Sequence, residues 1–134
     1  DGIRYYDDSI STICDTTIQA LKTLPDTDSV LIGGMDRGID YRELIEFLSH
    51  CSVPHIILME ATGKRIYEEI EKQYPDFPGK ERLLLVEHLE NAVEAAKRLT
   101  RPGKCCLLSP AAASYGIFKN FEERGCAFKN LVIF

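Results

Sequence analysis

Short apolar runs alternate with longer amphipathic stretches along the whole chain. The apolar runs predict five β-strands, at residues 3–6, 29–32, 53–59, 82–86 and 104–108. After each strand, apolar residues recur at helical spacing and predict five helices, at residues 16–21, 41–49, 64–74, 89–99 and 121–130. Five strands that are each followed by a helix predict an α/β fold, a three-layer Rossmann-like domain in which helices flank a mostly parallel sheet.

The connections in such a fold are right-handed, so the carboxyl ends of all strands lie at one edge of the sheet, where ligands bind. Three loops with unusual composition follow strands at this edge. They are residues 7–12 (Asp-Asp-Ser-Ile-Ser-Thr), 33–38 (Gly-Gly-Met-Asp-Arg-Gly) and 109–114 (Ser-Pro-Ala-Ala-Ala-Ser). We therefore expect the functional site in these loops.

Composition narrows the class of protein. A length of 134 residues fits a single domain. Sixteen Lys and Arg against 21 Asp and Glu give a net charge of -5, which does not favour a nucleic-acid partner. The apolar runs are far shorter than the roughly 20 residues of a membrane span. We also expect a monomer.

The cysteines and the amino terminus bear on location. The five cysteines are scattered and form no C-x-x-C pair, which is typical of reduced thiols. The first residues show no signal-peptide pattern, and we expect a cytoplasmic protein. It opens directly into a strand without an initiator Met, so we expect a piece of a longer polypeptide.

Taken one at a time, the three loops allow ordinary structural readings. Asp and Ser in residues 7–12 would serve as helix caps. The glycine pair of residues 33–38 lets backbone approach a ligand, whereas Asp36 and Arg37 would also suit a solvated turn. His50, Cys51 and His55 allow a zinc site, but their spacing matches no known ligand pattern and packing is the better interpretation.

The last helix begins with a capping pattern. Asn120 is placed as N-cap and Glu123 at the third helical position. Phe121 is then the first helical residue, and its backbone N–H has no partner within the helix. Together with the hydroxyl of Ser114, this N–H would suit a carboxylate. Capping accounts for only part of the pattern.

These segments together resemble a known family. Residues 107–114 and 118–125 are similar to the signature of the C-terminal domain of the UDP-N-acetylmuramoyl-L-alanine:D-glutamate ligases, a branch of the Mur ligase family. Residues 8–12 resemble its Asp-Ser-x-Ala-Thr segment, and residues 33–38 its Gly-Gly-x-Asp-Lys/Arg segment. The three motifs occur in the right order and cover essentially the whole chain.

The resemblance implies roles for five residues. Thr12, Arg37, Ser114 and the backbone of Phe121 correspond to the D-glutamate contacts, and Asp8 to the aspartate that faces the nucleotide. The implied chemistry is consistent, because a dicarboxylate needs a cation and several neutral donors. Two positions depart from the family: Ile10 stands where many members have Lys, and Gly116 where they have an acidic or amide residue.

The resemblance also implies a reaction. Such enzymes have three domains, of which this chain, residues 1–134, would be the third. They use ATP and magnesium to convert the carboxylate of UDP-N-acetylmuramoyl-L-alanine into an acyl phosphate, which the amine of D-glutamate attacks during peptidoglycan synthesis. We expect ATP and Mg²⁺ to be bound mainly by the central domain, and this domain to bind D-glutamate and to close over the ATP site.

The sequence itself contains no ATP-binding loop. The Gly-Lys pairs at Gly63 and Gly79 both lack the flanking Gly and the Ser or Thr of a P-loop. We therefore expect the isolated chain to be inactive. The alternative is a non-catalytic Rossmann-like module that binds a nucleotide or small ligand at the same edge, since a fold does not fix a function.

Overall fold

The computed structural model describes residues 2–10, 12–114 and 118–133. Its five strands form one sheet, in which every pairing among the described strands is parallel. The strands are β1 (Arg4–Asp7), β2 (Thr27–Gly33), β3 (His55–Met59), β4 (Leu83–Leu85) and β5 (Cys105–Leu108). Their order across the sheet is β1-β5-β2-β3-β4. The predicted α/β fold is confirmed.

The five helices cover both faces of the sheet. They are α1 (Cys14–Thr23), α2 (Arg42–His50), α3 (Glu60–Gln73), α4 (Leu89–Leu99) and α5 (Phe121–Ile133), and a short 3-10 turn precedes β4. Buried residues of α1, α2 and α3 form one apolar cluster with one face of the sheet. Those of α4 and α5 form a second cluster with the other face. The three predicted layers are thus present.

Apolar stripes hold the helices on the sheet. In α2, Leu44, Ile45 and Leu48 are 0% exposed and follow helical spacing. Burying a side chain of this size contributes about 1.5–3 kcal/mol. The central strand β2 is buried along its whole length, as a strand covered on both faces should be.

Most predicted boundaries lie within a few residues of the observed ones, and α4 matches throughout. The largest difference is α3, which begins at Glu60, four residues before the predicted start. Gly63 in the first turn of α3 is a point of close packing: an added Cβ would lie 2.7 Å from the carbonyl carbon of Leu58. Glycine at this position lets the helix pass close to β3.

The strand order creates a crevice. α5, which follows β5, packs on one face of the sheet, whereas α2, which follows the neighbouring strand β2, packs on the other. The loops after β5 and β2 therefore leave toward opposite faces. In open α/β sheets ligands bind at such a point.

Candidate functional site

The loops after β2 and β5 are joined by hydrogen bonds. The N–H of Gly33 donates to the carbonyl of Pro110 at 2.9 Å, and the N–H of Met35 donates to the carbonyl of Ala113 at 2.9 Å. The second contact is an isolated antiparallel bridge. Two of the three loops singled out from the sequence therefore lie side by side.

The loop after β1 joins the same assembly. The hydroxyl of Ser109 donates to Oδ2 of Asp8 at 2.8 Å. The hydroxyl of Ser9 donates to the carbonyl of Phe121 at 2.7 Å, which ties this loop to the start of α5. All three loops thus meet at the carboxyl edge of the sheet, as predicted.

A cavity of about 400 Å³ lies at this edge. Its apolar wall includes Met35, Met59, Leu89 and Phe118. Its polar lining residues are Asp36, Glu60, Ser114 and Arg124. A pocket with mostly apolar walls and a few converging polar groups is typical of a small-molecule site.

Arg124 is the most unusual residue of the cavity, because it is charged and only 2% exposed. Its Nε donates to Oγ of Ser9 at 2.9 Å, and its Nη2 donates to the carbonyl of Ser9 at 2.7 Å. Its Nη1 has no hydrogen-bond partner among the described residues. Burial lowers the pKa of Arg124 to about 10, against the opposing influence of Asp7 and Glu60, so the side chain stays charged at neutral pH.

A buried donor without a partner is costly, and such groups occur where a ligand supplies the missing acceptor. Nη1 belongs to a residue that lines the cavity beside Ser114. An oxyanion in the cavity would satisfy it with a charge-assisted hydrogen bond. The cavity therefore suits a carboxylate.

Glu60 closes another part of the cavity. Its φ is 60°, which is strained for a residue with a side chain. Its carboxylate is 8% exposed, and Oε2 lies 3.1 Å from Nδ1 of His88. The backbone N–H of Glu60 donates to the carbonyl of Glu87. These contacts fix a carboxylate at the wall of a cavity that also contains a guanidinium.

The sequence-predicted contacts are distributed over the edge. Ser114 lines the cavity and is 5% exposed. Phe121 lines a separate groove at the start of α5, together with Ile10, which is 63% exposed. Arg37 is exposed in the loop after β2, and Thr12 is partly exposed before α1; neither lines the cavity. The shared role of these residues stays a prediction.

The predicted N-cap of α5 is confirmed. Oδ1 of Asn120 accepts a hydrogen bond from the N–H of Glu123 at 2.8 Å, so Asn120 is the N-cap of α5. The carboxylate of Glu123 accepts a hydrogen bond from the N–H of Lys119 at 3.4 Å. Gly116 lies outside the described residues.

Sequence reasoning gave no role to Arg124 or Glu60. Arg124 lies four residues before Phe128, which is 1% exposed, so both lie on the core-facing side of α5. An arginine at a core-facing helical position was the available signal. Glu60 gave no such signal, because the helix was predicted to start after it.

Neither a metal-ligand cluster nor a membrane-spanning helix occurs among the described residues. Among them no three His, Cys, Asp or Glu side chains are grouped to hold a metal ion. No helix in the described part of the chain is both long enough and apolar enough to cross a bilayer.

Comparison with known proteins identifies the family. No protein-family model matches the chain. The chain is 38% identical over 134 residues to the UDP-N-acetylmuramoylalanine–D-glutamate ligase of Caldanaerobacter subterraneus subsp. tengcongensis. The aligned region covers 99% of this chain and 29% of the relative. The chain belongs to this ligase family. The enzyme of the same name from Ruminiclostridium cellulolyticum is 37% identical over 98% of the chain and 28% of its own length.

A third ligase of this name, from Solibacter usitatus, is 37% identical over 98% of the chain. The family resemblance read from the three motifs is thereby confirmed. The chain spans less than a third of the length of these curated relatives. It corresponds to one domain-sized part of such a ligase.

Proposed function

We propose that this chain is the C-terminal domain of a three-domain, ATP-dependent ligase that adds D-glutamate to UDP-N-acetylmuramoyl-L-alanine in cytoplasmic peptidoglycan synthesis. Its part in that reaction is to bind D-glutamate and to close over the ATP site. The names of its relatives support the reaction. The cavity at the carboxyl edge, with the unpartnered Nη1 of Arg124 beside Ser114, is the observation that carries the binding role.

A dicarboxylic amino acid requires donors at two ends. Ser114 and Arg124 supply a hydroxyl and a guanidinium inside the cavity, and Arg37 supplies a second guanidinium from the loop after β2. Bonds from charged donors contribute about 1.5–3 kcal/mol each, which is enough to select a small anion. Thr12 and the start of α5 complete the proposed set on the side of β1.

The domain contributes orientation rather than covalent chemistry. The amine of D-glutamate must be held, deprotonated, against the acyl carbon of the other substrate while phosphate leaves. Fixing both carboxylates orients this amine and lowers the entropic part of the barrier. No described residue of this chain is placed as a nucleophile.

ATP and Mg²⁺ supply the activation of the carboxylate in this scheme. The donor set of the chain does not fit either group fully, since it lacks a P-loop and a cluster of metal ligands among the described residues. Asp8 is the one residue that we propose to face the nucleotide. Its Oδ2 accepts a hydrogen bond from Ser109, which fixes the carboxylate at the edge of the sheet.

The proposal is tested by steady-state kinetics on the full-length ligase that contains this domain. Arg37→Ala should raise the KM for D-glutamate by roughly tenfold to a hundredfold, the equivalent of one charge-assisted hydrogen bond, and leave the KM for ATP within twofold. Arg42→Ala is the matched control, because it removes an equal charge from an exposed position five residues away. Equal rises in both KM values for Arg37→Ala would contradict the proposal.

A further inference from the structure

The loop that carries Arg37 is contacted by Arg65, a residue of α3. Nε of Arg65 lies 2.9 Å from Oδ2 of Asp36, and Nη2 of Arg65 donates to the carbonyl of Ile39 at 2.6 Å. The N–H at Nε makes no hydrogen bond to a described residue, so the contact of Nε with Asp36 is an ion pair. One guanidinium therefore binds the loop at Asp36, before Arg37, and at Ile39, after it.

The same guanidinium is itself fixed in place. Its central carbon lies 4.9 Å from the centre of the Tyr41 ring, a stacking distance. Tyr41 is 1% exposed, and its hydroxyl donates to the carbonyl of Ala111 at 2.6 Å. Ala111 lies three residues before Ser114, in the loop after β5. Arg65 and Tyr41 thus connect the two loops that carry Arg37 and Ser114.

Within the loop, Asp36 links Arg65 to the backbone next to Arg37. Its Oδ1 accepts a hydrogen bond from the N–H of Gly38 at 3.0 Å, so its carboxylate spans Arg37 from one side to the other. The side chains of Arg65 and Asp36 are 33% and 30% exposed, so water screens this ion pair only partly. No hydrogen bond or ion pair to a described residue holds Arg37 itself.

We infer that Arg65 is a positioning residue, which holds the loop at residues 36–40 so that the guanidinium of Arg37 meets a carboxylate of the amino-acid substrate. This inference rests on the proposed function, since it needs Arg37 to bind that substrate. Arginine is required for the role, because one planar group must pair with a carboxylate, reach a carbonyl and stack on a ring. Lysine would keep the charge and lose the other two contacts.

Arg42 provides a control for charge and location. It pairs with Asp40 at 2.6 Å, at the other end of the same loop, but its side chain is 74% exposed and it contacts neither Asp36 nor Ile39. Removing Arg42 deletes a positive charge near the loop and leaves the contacts of Arg65 with Asp36 and Ile39 intact.

The test measures both KM values and kcat in the full-length ligase. Arg65→Ala and Arg65→Lys should each raise the KM for D-glutamate about tenfold, with kcat and the KM for ATP within twofold. Arg42→Ala should change the KM for D-glutamate by less than twofold. In the Arg37→Ala background, Arg65→Ala should add less than twofold, because a positioning residue has no effect once its target is gone.

Three outcomes separate the possibilities. A rise in KM for Arg37→Ala with no rise for Arg65→Ala would overturn the positioning role alone. A tenfold rise for Arg65→Ala that persists in the Arg37→Ala background would also overturn it, since Arg65 would then act through another group. No change for Arg37→Ala would overturn the proposed function itself.

Hydrogen exchange gives a second reading that does not depend on turnover. In the full-length ligase, the N–H of Gly38, which donates to Oδ1 of Asp36, should exchange at least tenfold faster in Arg65→Ala than in the wild type, and Arg42→Ala should have no such effect. Unchanged exchange of the Gly38 N–H in Arg65→Ala would overturn the inference even if the variants with Arg37→Ala were too inactive to measure.

Discussion

Arg124 and Ser9 form the main polar contact between α5 and the loop after β1. The guanidinium donates to both the hydroxyl and the carbonyl of Ser9, at 2.9 and 2.7 Å, and the hydroxyl in turn donates to the carbonyl of Phe121. The arginine and the serine are 2% and 3% exposed. This buried network uses two arms of the guanidinium for structure and leaves the third for the cavity.

Replacing Arg124 should therefore affect stability and binding together. Arg124→Met keeps much of the apolar volume of the side chain but removes both hydrogen bonds to Ser9. The buried carbonyl of Ser9 then loses the guanidinium as a donor. We expect the free energy of unfolding to fall by about 2–3 kcal/mol, measured by urea denaturation. The KM for D-glutamate in the full-length ligase should rise as well.

Arg98 offers the control for this change. It is exposed on α4, so Arg98→Met should alter the free energy of unfolding by less than about 0.5 kcal/mol. If the two variants unfolded at the same urea concentration, the contacts of Arg124 with Ser9 would contribute nothing to the free energy of unfolding.

A substitution at Gly34 should separate the loops that form the cavity. An added Cβ would lie 2.5 Å from the carbonyl oxygen of Ala113, which is too close for any Cβ, and 3.0 Å from Nη1 of Arg124. Gly34→Ala should therefore lower the free energy of unfolding by about 1–3 kcal/mol, as overpacking does. It should also speed exchange of the Met35 amide, which is bonded to Ala113.

Gly38→Ala is the comparison for this prediction. Nothing lies within 4 Å of an added Cβ at Gly38, but its φ of 73° makes a side chain strained. That variant should lose about 1 kcal/mol through the backbone and leave the exchange of Met35 unchanged. Equal exchange of Met35 in the wild type and in Gly34→Ala would show that the loops tolerate the extra methyl group.

The sequence predicted the layers of the fold because they follow from local periodicity. Leu44, Ile45 and Leu48 repeat at helical spacing, and all three are buried in the structure. Strand β2 was predicted too short, because Thr27 and Asp28 are polar and resemble a turn. They are buried nonetheless, and Asp28 is satisfied by Arg101, 73 residues away. A single sequence does not display such a distant partner.

The same limit applies to the site. The motif loops and their common edge follow from strand topology and were predicted. The free donor of Arg124 was not, because it depends on where Ser9 comes to lie, 115 residues earlier in the chain. The contacts of Arg65 with Asp36 and Ile39 likewise depend on how α3 packs against the end of β2. Such contacts exist only once the elements are packed.

The pair between His88 and Glu60 predicts a pH dependence. The hydrogen bond from His88 to Glu60 raises the pKa of the histidine, and the charges of Glu60, Glu87 and Glu90 act in the same direction. The folded pKa therefore lies above the unfolded value near 6.5. The resulting stabilisation is fully present below that unfolded value and is lost as the pH rises through the folded pKa.

Proton NMR of the His88 ring should show this effect directly. The midpoint should lie above 6.5 in the wild type and fall toward 6.5 in Glu60→Gln, which keeps the shape and removes the charge. Glu90→Gln should lower the midpoint less, since Glu90 acts only through space. A midpoint unchanged by Glu60→Gln would mean that the contact at 3.1 Å carries no charge interaction.

Asp28 and Arg101 predict the opposite pH dependence at the far side of the domain. The carboxylate of Asp28 is 2% exposed, and it accepts bonds from Nη2 of Arg101 at 2.7 Å and from its backbone N–H at 2.9 Å. Burial alone would raise the pKa of Asp28, but the hydrogen bonds from Arg101 outweigh it and the pKa is lowered. The stabilisation is thus present above the unfolded value near 3.9 and is lost as the pH falls through the folded pKa.

Asp28→Asn should lower the free energy of unfolding by about 2 kcal/mol at pH 7, because it weakens bonds to a charged group. The difference from the wild type should shrink below about pH 4, where the wild-type carboxylate begins to take up protons on unfolding. Asp26→Asn is the control, since Asp26 is 56% exposed and its pair with Arg4 at 3.3 Å contributes less than about 1 kcal/mol. Urea denaturation at pH 3, 5 and 7 would measure both variants. A difference for Asp28→Asn that stays constant over this range would show that the charge of Asp28 contributes nothing beyond its shape.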